Sequence, residues 1–366
     1  MTQSVAEKNN AMDRKLSRLD LVRLPIISLL TIVALLAASE VAARIEDKIL
    51  YDAPFWSNYN LNTLYTVDQY GRRGKPYAHY LKWQLDEEGY RGPALRSNTY
   101  RIVCLGSSET FGLYEQNGNE WPRVLERELN QQSGANRFEV VNAAYPGMSV
   151  PSILRRVPYT EQALHPQLAV IYPSFTSYIE DDNSAPAPTQ APPESHHHVE
   201  LRITSILQTG FKSHLPEKVQ TWMRETEIER AEKNHPAMKS VPQPVVDKFQ
   251  GDLDQLVRAL QQSNTKMILV THATRFSDPL TAEDRNYLIM WRRFYPQLSE
   301  GALIDMERRM NQALRDVGAR DGVPVVDAEK QIPPGGQNFQ EFSHFTDHGA
   351  YELATLVEKE VLKQAK

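Results

Sequence analysis

From residue 100 onward the chain alternates short, mostly apolar runs with stretches of helical periodicity, a pattern that restricts it to a parallel sheet flanked by helices. Apolar runs at 101–105, 138–142, 168–172, 267–271 and 323–326 have the length of buried strands. Between the first two, Trp121, Val124, Leu125 and Leu129 follow helical spacing within a helix expected over about 115–131. A second helix is expected over 149–164. Phe249, Leu253, Leu256, Val257 and Leu260 share one face of a third, and Leu303, Met306, Met310, Leu314 and Val317 share one face of a fourth. A last helix covers 349–362.

Ligands of open α/β sheets gather at the carboxyl ends of the strands, and three such ends carry polar residues here. The first strand stops at Gly106, and Ser107 and Ser108 open the following helix, where backbone amides and the helix dipole favour a developing negative charge. A serine at that place also serves as an N-cap, so this segment alone leaves both roles open. The segment 340–354 reads QEFSHFTDHGAYELA, with Glu341 three residues before His344. A carboxylate at that spacing can bind one ring nitrogen and fix the tautomer, leaving the other nitrogen to deprotonate a serine. Histidine in a loop is commonplace, as nearby His348 illustrates; the Glu341–His344 pairing is the informative feature.

Together these segments resemble the SGNH (GDSL) hydrolase superfamily, in its membrane-anchored bacterial form. Gly106, Ser107 and Ser108 are similar to the family's first block, with Ser108 in the nucleophile's place. The run 140–149, VVNAAYPGMS, is similar to the second block, with Gly147 as the oxyanion glycine. The lead-in at 84–95, QLDEEGYRGPAL, also resembles that of anchored members. The likeness covers about half the chain, from near Tyr80 to Tyr178 and from near Gly322 to the end. It implies a three-layer α/β/α sandwich with a five-stranded parallel sheet of flavodoxin-like type. It further implies a triad of Ser108, His344 and Glu341, an oxyanion hole from Ser108, Gly147 and Thr176, and neither cofactor nor metal. Two positions depart from the pattern. Thr176 stands where the family has asparagine, and its hydroxyl offers one donor; Glu341 stands where aspartate is usual, a replacement other serine triads accommodate.

Residues 24–39 carry no charge, and extending them to 43 gives 20 residues, about 30 Å of helix and enough to cross a bilayer core. Lys8, Arg14, Lys15, Arg18 and Arg23 precede the segment, whereas Glu46, Asp47 and Asp52 outweigh Arg44 and Lys48 after it. The positive-inside tendency therefore leaves 1–23 as a cytoplasmic tail and exports the remainder, an inner-membrane protein with its catalytic domain in the periplasm. A cleaved signal peptide is the alternative, with small residues at 37 and 39 or at 41 and 43.

The remaining segments divide into a juxtamembrane cap (44–98), a first part of the main domain (99–180), an insertion (181–242) and a second part (243–366). Pro186, Pro188, Pro192 and Pro193 make the start of the insertion an extended loop, with a polar helix expected over 216–234. It reads equally as a lid or as a tolerated surface excursion. Tyr287, Trp291, Phe294 and Tyr295 form an aromatic cluster suited to packing or to stacking on a sugar, and packing is the commoner use. A net charge of −5 gives no nucleic-acid footprint. Ten histidines and the single Cys104 show no ligand spacing beyond His196, His197 and His198, which follow the proline-rich loop and read as solvated. The expected partners are an acyl-ester substrate, with carbohydrate as its carrier, the membrane through 24–43, and envelope biosynthesis proteins. The expected activity is that of a serine esterase acting on acyl, chiefly O-acetyl, esters of a cell-envelope carbohydrate or lipid. Two alternatives stand beside it: an O-acyltransferase of an exported polysaccharide using the same triad, and a catalytically weak or inactive binding or assembly protein of the same fold.

Overall fold

The computed structural model describes residues 20–57, 61–134, 136–178, 201–213, 216–234 and 237–365. The proline-rich loop and the His196–His198 triplet lie outside the described residues. The chain opens with helix α1 (Asp20–Tyr51), long and apolar enough to cross a membrane. Its side chains from Val22 to Leu36 stand clear of the rest of the protein. Two short antiparallel hairpins follow, β1 (Tyr65–Asp68) with β2 (Gly71–Gly74) and β3 (His79–Tyr80) with β4 (Trp83–Gln84). The hairpins and the segment after them pack on the main domain through Arg156 with Asp68, Tyr145 Oη with Gly89 O, and Tyr159 Oη with Glu88.

The main domain then runs β5 (Tyr100–Gly106), α2 (Ser108–Phe111), α3 (Trp121–Ser133), β6 (Phe138–Asn142), α4 (Val150–Leu164) and β7 (Leu168–Tyr172). Helices α5 (Arg202–Ser213) and α6 (Glu217–Asn234) precede α7 (Gln243–Gln262) and β8 (Lys266–Val270). The chain ends with α8 (Ala282–Arg292), α9 (Glu300–Asp321), β9 (Val325–Val326), α10 (Ala328–Gln331) and α11 (Asp347–Gln364).

The five main strands form one sheet in the order β6-β5-β7-β8-β9, and every pairing is parallel. This is the doubly wound, flavodoxin-like order, with the strand direction of travel reversing beside β5. The strands β6 and β7 are buried along their whole length because helices cover both faces of the sheet, which is why they read as mostly apolar runs without alternation. Alternate residues feed two cores. Val103, Leu105, Ala169 and Ile171 meet α4, α7 and α9, while Ile102, Cys104, Val170 and Ile268 meet α3 and α11. The three-layer sandwich is therefore formed as the alternation required.

Several boundaries differ from expectation. The helix expected from 115 begins at Trp121, because Gly112 and Gly118 take positive φ and Pro122 fixes the entry of α3. The last strand is confined to Val325–Val326, and α5 was not anticipated. Trp291 is fully buried and stacks between Phe276 and Phe342, so the core of the aromatic cluster is packing. Asp327 is held by Arg315 and Thr271.

Candidate active site

The site forms where β5 ends. Gly106 is required there by close approach: a Cβ would lie 2.1 Å from Thr110 Oγ1 and 2.7 Å from Tyr172 O. The chain then turns through buried Ser107 into α2, which is a single turn. Gly112 ends it in the left-handed region at φ 85°. So short a helix has little macrodipole, and the expected dipole contribution at Ser108 reduces to a few local amides. Two buried side chains secure the turn's carbonyls. Asn142 Nδ2, at the end of β6, donates to Thr110 O at 2.9 Å, and Arg91 Nη1 donates to Phe111 O and Gly112 O. Arg91 belongs to the lead-in segment, which thereby braces the Ser108 turn.

Glu341, Ser343 and His344 lie on the loop before α11. His344 Nδ1 donates to Glu341 Oε1, and His344 Nε2 is buried without a hydrogen-bond partner among the described residues. Tyr114 lies edge-on to the imidazole at 5.5 Å. Burial disfavours the His344 cation, but the Glu341 hydrogen bond and the charges of Glu109 and Glu115 raise its pKa above the ordinary histidine value. Asp347 ties this loop to the chain after α2, accepting from Gln116 N and Asn119 Nδ2 at 2.8 Å each. His348 bonds Asn338 within its own loop.

The structure thus brings Glu341 and His344 together. Gly147 N donates to Ser107 Oγ at 3.1 Å, which sets the Gly147 loop against the Ser108 turn. Ser108 Oγ, half-buried, donates to Glu109 Oε2 at 3.2 Å, and among the described residues no hydrogen bond joins it to His344. Thr176 opens a 3₁₀ turn after β7 and shares a hydrogen bond of 3.1 Å with Ser174.

Sequence reasoning missed a buried charged array behind Ser108. Glu109 Oε1 lies 3.5 Å from His272 Nε2, and His272 Nδ1 donates to Glu307 Oε2 at 2.8 Å. Burial works against the His272 cation, yet Glu307 and Glu109 raise its pKa to about 10. Burial likewise opposes the Glu109 anion, but His272 and His344 outweigh it and hold the carboxyl down to about 2. Both residues left a sequence signal. His272 stands just past the apolar run at 267–271, at a strand's carboxyl end, and Glu307 interrupts the apolar face of Leu303, Met306 and Met310. Among the described residues no group of His, Cys, Asp and Glu could hold a metal ion.

No protein-family model and no curated protein matches the chain. Among solved structures it is similar to the lipase/acylhydrolase from Enterococcus faecalis, at 17% identity over 73% of this chain and 97% of that one, TM-score 0.44. It is also similar to a GDSL-like lipase from Bacteroides thetaiotaomicron, at 14% identity over 72% and 88% of the two chains, TM-score 0.41. An acetyl xylan esterase, AlAXEase, matches at 12% identity over 71% and 99%, TM-score 0.42. These likenesses to GDSL-type proteins concern the fold alone and bear on neither substrate nor chemistry.

Proposed function

We propose that the protein is an SGNH-type serine esterase. The observation that carries this reading is the asymmetry of His344, bound by Glu341 at Nδ1 and, among the described residues, unpartnered at a buried Nε2, on a loop joined to the Ser108 turn through Ser343 Oγ and Glu109. A rotation of the Ser108 side chain from Glu109 toward His344 starts the reaction. The hydroxyl proton passes to Nε2 as Oγ bonds the ester carbonyl carbon, and the carbonyl electron pair becomes the oxyanion. The amides of Ser108 and Gly147, with the Thr176 hydroxyl, are the donors for that oxyanion; loss of one such donor typically costs ~10²-fold or more. Collapse expels the alkoxide, which takes the proton from His344, and leaves an acyl-serine. Water then gives a proton to His344 as it attacks the acyl carbon, and collapse breaks the acyl–Oγ bond, with Ser108 Oγ taking the proton back from His344 as the acid is released. Glu341 stays ionised throughout and orients the imidazole.

The anchor reading rests on α1, whose exposed apolar side chains would otherwise face water, and on the charge asymmetry around it. It puts the site outside the cytoplasmic membrane, where esters of envelope carbohydrates or lipids are its substrate class. Transfer to a sugar hydroxyl uses the same residues. Incubation of an acetyl donor with and without a glycan acceptor separates the two: acetate release unaffected by any acceptor supports hydrolysis, and acetylated glycan supports transfer. Absence of both would refute the catalytic reading.

A further inference from the structure

Glu109 takes no part in the proton transfers above, yet it touches both sides of the site. Its Oε2 accepts from Ser108 Oγ at 3.2 Å and its Oε1 accepts from Ser343 Oγ at 3.1 Å. Ser343 is buried and immediately precedes His344. One planar carboxylate therefore spans two segments that lie 234 residues apart in the chain. The carboxylate is itself fixed from behind by His272, through the 3.5 Å contact of Nε2. His272 is fixed in turn: its backbone N donates to Asn311 Oδ1 at 2.7 Å, Asn311 Nδ2 donates back to His272 O at 2.8 Å, and the rings of Tyr172 and Phe175 close on the imidazole.

A buried carboxylate is costly unless paired, and an apolar residue could fill this place in the turn without a compensating His272. What Glu109 supplies that an apolar residue could not is a rigid double acceptor between the two halves of the site. Taking Ser108 and His344 as nucleophile and base, we infer that Glu109 is a positioning residue, setting the separation of the two by holding Ser108 on one carboxylate oxygen and the base loop, through Ser343, on the other. Its charge has a second effect. The groups facing His344 are Glu341, Glu109, Glu115 and the Tyr114 ring, so an anion at Glu109 favours the imidazolium formed when Ser108 gives up its proton. The groups facing Glu109 are His272, with Glu307 behind it, and His344.

The test is the second-order rate of labelling by a fluorophosphonate, measured across pH on the detergent-solubilised full chain. Ser343→Ala removes one hydroxyl and should slow labelling about tenfold, since small misplacements of reacting groups have effects of this order or larger. Glu109→Gln should slow it at least as much and move the acid limb of the pH profile to lower pH, because His344 loses a neighbouring anion. The double variant should be no more than about twofold slower than Glu109→Gln, as both changes cut one link. Rates within twofold of wild type for Ser343→Ala would overturn the inference, and so would an acid limb unmoved in Glu109→Gln. If Glu109→Gln fails to fold, Ser343→Ala decides alone. A wild type that takes no label, or a Ser108→Ala variant that takes it equally, overturns the catalytic reading and this inference with it; a labelled wild type with unaffected variants overturns the inference only.

Discussion

His344 donates from Nδ1 to Glu341 Oε1, while its Nε2 is buried and, among the described residues, meets no hydrogen-bonding group. A structural histidine with both nitrogens engaged, as His348 is through Asn338 and Gln337, has nothing left to give. The unpaired nitrogen is instead kept basic by Glu341 on the far side of the ring, as a general base needs.

This arrangement fixes the sign of a pH effect. As the proposed general base, His344 would act when neutral, and its pKa is raised above the ordinary value of 6.5, so the acid limb of kcat/KM toward a p-nitrophenyl ester should lie above that pH. In Glu341→Gln the hydrogen-bonded anion is lost, the limb should move to lower pH, and kcat should fall on the order of 10³-fold or more through the wrong tautomer.

The Glu109–His272–Glu307 array predicts how stability depends on pH. Glu109 is depressed to about 2 from an ordinary 4.5, so its contribution is present above the ordinary value and is lost as pH falls toward about 2. His272 is raised to about 10 from 6.5, so its contribution is complete below 6.5 and is lost as pH rises through about 10. Urea midpoints should therefore decline between about pH 7 and pH 10. His272→Gln strands two buried carboxylates, should cost about 3 kcal/mol or more, and should flatten that alkaline decline.

Gly106→Ala tests the close approach at the Ser108 turn. The new methyl meets Thr110 Oγ1, which can rotate, and Tyr172 O, which cannot. The expected cost is about 1–3 kcal/mol in urea unfolding, with slower labelling of Ser108 as the turn shifts. An unchanged midpoint would contradict the packing described.

Much of the sheet was legible because its strands are buried on both faces and so read as unbroken apolar runs, as in 168–172. The amphipathic helices were equally legible, from Leu253, Leu256 and Leu260 for example. The hairpins between Tyr65 and Gln84 were not, since strands of two to four half-buried residues have no period to detect. Within the site, Glu341 and His344 were readable as neighbours in one loop. Glu109, Ser343 and His272 come together only through the sheet topology, and no local spacing announces contacts across 234 residues. Arg91 was visible only as part of a resemblance, and its work on the carbonyls of Phe111 and Gly112 is a tertiary contact.

In the proposed mechanism Thr176 supplies one oxyanion donor, and its hydroxyl shares a hydrogen bond with Ser174. Thr176→Val keeps the shape and removes the donor. Its kcat should fall by ~10²-fold with KM little changed, as expected when an interaction made in the transition state is lost.

The most direct test of the central claim is mass spectrometry of the full-length protein after exposure to a fluorophosphonate. A single phosphonyl adduct is expected on the peptide that carries Ser108, and none on Ser108→Ala. An unmodified wild type, or an adduct that persists in Ser108→Ala, would contradict it.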